Sequence, residues 1–153
     1  MQTRKEYRLL VPQQLPAVYT HVKETLPDSI RDPNIFAQIY WAKTSAFFEL
    51  GDMEGALWLV NIAVGWKATV HLVLWGERLR HRAEDALEIT KELFHLFQLR
   101  RLEAYLPVTN ERVCRYLDKL GFVMEGTLRK WDYYDGMLVD IAVYSILKED
   151  FDG

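Results

Sequence analysis

Short apolar runs alternate with amphipathic stretches along the chain, and brief turns separate them. "EYRLLVP" predicts a first strand, ended by Pro12. Across residues 14–26, Leu15, Val18, Val22 and Leu26 fall on one helical face. Asp32 followed by Pro33 reads as an N-cap with proline at the first helical position, and Phe36, Ile39, Tyr40 and Lys43 continue that helix. Its end is ambiguous. Periodicity could run through Phe47 to Leu50 and stop at Gly51, or "TSAFFEL" could be a strand that "GDMEG" turns into "ALWLVNIAV".

Residues 56–64 form a nearly continuous apolar run, as expected of a strand covered on both faces. Gly65-Trp66-Lys67 turns the chain into a second buried strand, "ATVHLVLW". A helix over about 83–98 follows, because Ala83, Ala86, Leu87, Thr90, Leu93, Phe94 and Phe97 keep the helical rhythm. "RRLEAYLP" is a strand stopped by Pro107. Thr109 or Asn110 caps a short helix with Val113, Leu117 and Leu120 inward, closed by Gly121. "FVMEGTLRKWDYY", Asp135-Gly136 and "MLVDIAVYSIL" make a terminal β-hairpin. Strands alternating with helices, plus hairpins, predict a mixed α/β sheet.

Composition narrows the classes. A length of 153 residues fits one domain over 1–153, and 50% hydrophobic residues argue against disorder. The net charge of −3 gives no global case for nucleic acid or an anionic membrane. No apolar run approaches the roughly 20 residues that span a bilayer. The start, Met1-Gln-Thr-Arg-Lys, has no apolar segment of the signal-peptide kind, and the single Cys114 fits a reducing, cytoplasmic compartment. Histidines 21, 71, 81 and 95 never fall at metal-ligand spacing with another His or Cys, so no metal is expected.

The last third is the most specific part. "NERVCRYLDKLGFVMEGTLRKWDYYDGMLVDIAVYSIL" closely resembles the C-terminal half of GNAT-superfamily N-acetyltransferases, nearest to the subgroup that acetylates ribosomal-protein N-termini and related amines. The elements carrying the resemblance are Asn110, Lys119-Leu120-Gly121-Phe122, Glu125-Gly126, Leu128-Arg129, Gly136, Asp140 and Tyr144-Ser145-Ile146-Leu147. The resemblance implies a GNAT acyl-CoA N-acyltransferase fold of about seven strands with four helices. It also favours the hairpin over 44–64. Acetyl-CoA would lie in a split between the fourth strand, Thr69–Trp75, and the fifth, Arg101–Leu106. Backbone around Leu72, Val73 and Leu74 would pair with the pantetheine arm and polarise the thioester, and Asn110 would touch the cofactor.

The sequence departs from the family pattern where the pyrophosphate should bind. The family motif (Q/R)-x-x-G-x-(G/A) is best placed on Arg78-Leu79-Arg80-His81-Arg82-Ala83, which puts His81 at the glycine; an ungapped count puts Arg80 there. Glycine permits close backbone approach to phosphate, whereas arginines offer forked side-chain donors at a helix N-terminus. Val113 stands where the family has a small residue, and Leu117 where some members have an acid tyrosine; Tyr116 is about 100° away around the helix.

His71 is the candidate base or water relay for the incoming amine, against a structural role in the sheet. Asp140 and Tyr144 read as structural, Cys114 as a small buried residue, and exposure of Trp66 would suggest a partner surface. Three functions compete: an acetyltransferase acting on a protein N-terminus or small amine, a non-catalytic GNAT-fold assembly module, and, weakest, DNA binding. A homodimer or a protein complex fits either of the first two.

Overall fold

The structure is a computed structural model that describes residues 7–76 and 83–152. Its strands are β1 (Tyr7–Leu9), β2 (Ala46–Leu50), β3 (Gly55–Ala63), β4 (Lys67–Leu74), β5 (Arg101–Pro107), β6 (Val123–Tyr134) and β7 (Met137–Leu147). Its helices are α1 (Leu15–Val22), α2 (Pro33–Trp41), α3 (Ala83–Leu96), α4 (Glu111–Leu120) and a short α5 (Lys148–Asp152). The strands form one sheet in the order β1-β2-β3-β4-β5-β7-β6. Neighbours are antiparallel except β4 and β5, which are parallel.

Each face of the sheet is packed by its own helix pair. Leu15, Val18 and Val22 of α1 and Phe36 of α2 bury against Phe47, Ala56 and Trp58. On the other face, Ile89, Leu93 and Phe94 of α3 and Leu117 and Leu120 of α4 cover Phe48, Leu57, Leu59, Val70 and Leu102. Phe47 and Phe48 thus point to opposite faces of β2 and both are buried. That explains why "TSAFFEL" carries no alternation by which to recognise a strand. The hairpin reading holds: Ala46 pairs with Leu59 and Leu50 with Gly55.

Local chemistry sets the boundaries. One Asp32 carboxylate oxygen accepts from the backbone N–H groups of Asn34 (2.8 Å) and Ile35 (3.2 Å), the cap expected for α2. The 14–26 segment is α-helical only to Val22 and closes as a 3₁₀ turn over Lys23–Thr25. α3 ends at Leu96, two residues earlier than its apolar rhythm suggests, because Gln98 is left-handed (φ 54°). Gly121 (φ 93°) closes α4. Double coverage of β3 holds for Gly55–Leu59 but not beyond, where a bulge between Val60 and Ala63 leaves Asn61 exposed. Asp135 (φ 53°) and Gly136 (φ 78°) form the two-residue turn joining β6 and β7.

Candidate active site

β4 and β5 part company early. Their ladder consists of Lys67–Arg101, Ala68–Leu102 and Thr69–Glu103, although β4 runs on to Leu74 and β5 to Pro107. The split implied for residues around Leu72, Val73 and Leu74 therefore exists, and it opens at Thr69 and Glu103. The fourth strand begins two residues before the expected Thr69 and ends at Leu74, with Trp75 just beyond it.

Trp75 and Gly76 fix the exit of β4. Their backbone N–H groups both donate to the Glu54 carbonyl, at 2.9 and 2.8 Å, and the Trp75 indole stacks on His21 at 4.2 Å between ring centres. A Cβ on Gly76 would lie 2.5 Å from the Glu54 Cβ, so this glycine serves close approach to the β2–β3 turn. Arg78, Arg80, His81 and Arg82 lie outside the described residues, and Ala83 opens α3.

On the face shared with α1 and α2, the even spacing of strand residues groups Lys67, Thr69 and His71 of β4 with Arg101, Glu103 and Tyr105 of β5. His71 stacks on Trp58, with 5.2 Å between ring centres and 11° between planes, and desolvation by burial pushes its pKa down to about 4. It is neutral at pH 7. Glu103 is 7% exposed and accepts from the Tyr105 hydroxyl at 2.7 Å and from Arg101 Nε at 3.1 Å, with Lys67 Nζ at 3.4 Å. Burial alone would raise its pKa, but the Tyr105 hydrogen bond and the Arg101 and Lys67 cations prevail and hold the carboxyl below its ordinary value. Arg101 reaches on to Glu125 of β6 (2.9 Å), which also accepts from the Ser145 hydroxyl (2.8 Å). The Arg101 and Ser145 hydrogen bonds bring the Glu125 carboxyl down to about 2. Two cations and two carboxylates are thus balanced at the base of the split. Of these partners, Glu125 and Ser145 were named from the sequence only as part of the family resemblance, and Lys67, Arg101, Glu103 and Tyr105 were given no role in the site. The signal was present: "RRLEAYLP" places Arg101, Glu103 and Tyr105 at alternate positions of a buried strand.

On the opposite face a cavity of about 40 Å³ lies among β4, α3 and α4. Leu72 and Leu74 of β4, Leu102 of β5, Asp85 and Ala86 of α3, and Tyr116 and Leu117 of α4 are part of its wall. Tyr116 and Leu117 share this wall despite their angular separation on the helix. The Tyr116 hydroxyl is buried without a hydrogen-bond partner, which ordinarily costs about 1–3 kcal/mol. Asn110, at the end of β5, spends its Oδ1 on the Val113 N–H (3.4 Å) as the N-cap of α4, leaving its amide NH₂ as further donors.

Asp140 accepts from the Lys130 N–H at 2.8 Å across the hairpin, and Tyr144 is buried beside Cys114. Cys114, expected to be buried, is only partly so, because it lies on the edge of α4 rather than on its inward face with Leu117 and Leu120. Trp66 is 58% exposed, with Lys67 Nζ 4.5 Å from its ring centre. At the rim of the α1–α2 face, the Asp28 carboxylate accepts from the N–H groups of Asp135 (2.8 Å) and Gly136 (2.7 Å), and Arg31 pairs with Asp135 at 2.6 Å. This clip ties the α1–α2 connection to the hairpin tip. Among the described residues, no group of three or more His, Cys, Asp or Glu side chains is placed to hold a metal ion, and no helix is long and apolar enough to cross a membrane.

No family model matches the chain. Over 79 residues, 52% of this chain, it is 29% identical to the uncharacterized N-acetyltransferase p20 of Bacillus licheniformis, and that match spans 43% of the relative's length. Two solved structures are similar across nearly the whole chain. Spermidine N-acetyltransferase from Vibrio cholerae, in complex with CoA and spermine, has a TM-score of 0.79 at 16% identity, covering 96% of this chain and 97% of that one. Ribosomal-protein-S5-alanine acetyltransferase from Vibrio fischeri has a TM-score of 0.73 at 17% identity, covering 98% and 97%. The fold is the GNAT acetyltransferase fold.

Proposed function

We propose that this protein is a GNAT-superfamily N-acetyltransferase that transfers acetyl from acetyl-CoA to a primary amine. The observation that carries this reading is the early end of the β4–β5 ladder at Thr69–Glu103. A parallel pair inside a sheet normally continues its ladder, since buried backbone N–H and C=O groups require partners. Here the strands separate and present β4 backbone to a ligand that can pair as an added strand. A pantetheine arm, with its two amides, has that character. The residues present fit it: an apolar wall of Leu72, Leu74 and Leu102, and one buried hydroxyl with an unmade hydrogen bond.

When bound, acetyl-CoA supplies the electrophilic thioester carbonyl. Backbone at Leu72, Val73 and Leu74 holds the arm and offers an N–H to the carbonyl oxygen. Arg78, Arg80, His81 and Arg82, just ahead of Ala83 and the positive end of α3, bind the pyrophosphate through side chains rather than glycine backbone. Asn110 adds an amide donor at the end of β5. The amine arrives on the α1–α2 face, where His71 is neutral and able to accept a proton or pass it through water. A pKa near 4 makes it a weak base, so the amine loses its proton mainly to solvent. The balanced Lys67–Arg101–Glu103–Glu125 network adds little net charge, so it does not by itself select a cationic acceptor.

A polyamine and a protein N-terminus are the two acceptor classes to try first, because one of the two similar structures is a spermidine N-acetyltransferase and the other a ribosomal-protein-S5-alanine acetyltransferase. The test follows free thiol release from acetyl-CoA with spermine, spermidine and an alanine-terminated peptide. Amine-dependent thiol release is the expected result. One sequence feature favours a second reading, a non-catalytic assembly module: neither placement of the pyrophosphate motif retains its glycine. Absence of turnover with every amine would support that module.

A further inference from the structure

β6 ends the sheet, with β7 on its inner side and no described strand beyond it. Alternate backbone N–H and C=O groups along its outer side therefore face outward, a template for another strand. None of its 12 residues is buried, and Val123, Met124, Trp131 and Tyr133 are 47–61% exposed. Met124 pairs with Tyr144 and Tyr133 with Leu138, both on the face of β7 that α4 packs against. An open cavity of about 330 Å³ lies beside this strip, with Cys114 and Arg115 of α4 and Met124, Ala142 and Tyr144 of the hairpin in its wall. Apolar side chains exposed singly need no explanation, but these follow one edge strand and border one cavity.

We infer that β6 is a self-association surface, on which a second copy of the chain pairs its own β6 antiparallel about a two-fold axis at Thr127. Charge complementarity selects a second copy as the occupant. Antiparallel pairing centred on Thr127 lays residues 123–125 of each strand along residues 129–131 of the other. Glu125 then runs beside the partner's Arg129 and Lys130, and Val123 and Met124 run beside the partner's Trp131. The Arg129 and Lys130 side chains make no ion pair among the described residues. Glu125 already holds Arg101 and Ser145, but a carboxylate has about four acceptor sites, which leaves room for a further cation. The two irregularities of β6, at Met124/Gly126 and Leu128/Asp132, also fall opposite one another. Bulges and lysines ordinarily blunt an edge against stray strands; here they match a strand that carries the same features in reverse. Each Trp131 indole comes to the mouth of the partner's cavity, at Met124, and covers it. None of this depends on the acetyltransferase reading.

Sedimentation equilibrium at tens of micromolar protein reads the association, and the expected mass is twice that of the chain. Trp131→Ala and Lys130→Glu change side chains that are exposed in the single chain, so the thermal midpoint of the dissociated protein stays as in wild type. Trp131→Ala is expected to raise the dimer dissociation constant at least about 10-fold. Lys130→Glu weakens it too, because it sets a second carboxylate beside the partner's Glu125. Thr127→Cys tests the register independently, since the two-fold axis brings two exposed thiols together. Mild oxidation then gives a disulfide-linked dimer that wild type, with Cys114 alone, does not form. A monomer at these concentrations would overturn the inference and leave the strip to a different partner. A dimer that neither substitution weakens, or a Thr127→Cys protein that cross-links no more than wild type, would put the interface elsewhere and overturn it as well.

Discussion

At the scale of single residues, desolvation governs the β4 face of the split. His71 sits against the Trp58 ring, and burial drives its pKa from 6.5 to about 4. Between those values the unfolded chain binds more protons than the folded one, so stability falls as pH drops from about 6.5 towards 4. His71→Gln removes that dependence. Urea titrations at pH 7.5 and 4.5 are expected to show a smaller acid loss for the variant, by no more than about 3 kcal/mol. An equal loss in both proteins would mean the imbalance in proton binding arises elsewhere. The position of His71 on a buried strand was legible in "ATVHLVLW". Its stacking partner was not, because the register placing Trp58 opposite His71 depends on the β3–β4 pairing rather than on local sequence. The Glu103 network has the same origin. Its members come from four strands, and only the alternation of Arg101, Glu103 and Tyr105 could be seen in one.

At the scale of elements, what was readable followed from rules that act within a few residues. Asp32-Pro33 announced α2, Asn110 and Gly121 bounded α4, and Asp135-Gly136 joined β6 to β7, each through capping or turn chemistry. The end of α2 was not readable, since β2 is buried on both faces and loses the alternation that marks a strand. The β4–β5 separation was expected only through the family resemblance, for no local signal tells a strand to leave its neighbour. The clip from Asp28 to the hairpin turn is likewise tertiary. Its carboxylate holds two consecutive turn amides, and the Gly136 hydrogen bond does most to keep its pKa below the ordinary value. Asp28→Ala is therefore expected to speed hydrogen exchange at the Asp135 and Gly136 amides while exchange in β5 stays as in wild type. Unchanged exchange at those two amides would show that the turn is held by its own geometry and not by Asp28.

At the scale of the whole molecule, the sheet divides the chemistry between two faces. The α3–α4 face presents an apolar wall with one unsatisfied hydroxyl, suited to a thioester arm; the α1–α2 face presents neutral His71 and a charge-balanced floor, suited to an amine. The two meet only where β4 and β5 part, so an acyl group held on one side can be reached from the other. At the pyrophosphate motif neither placement retains the glycine: His81 stands there in one and Arg80 in the other. Calorimetric titration of the protein with CoA tests this point most directly. One saturable site is the expected result, with an affinity that weakens as salt is raised, because arginine–phosphate contacts are screened. No heat of binding at millimolar CoA would contradict the acetyltransferase reading and leave the fold without its cofactor.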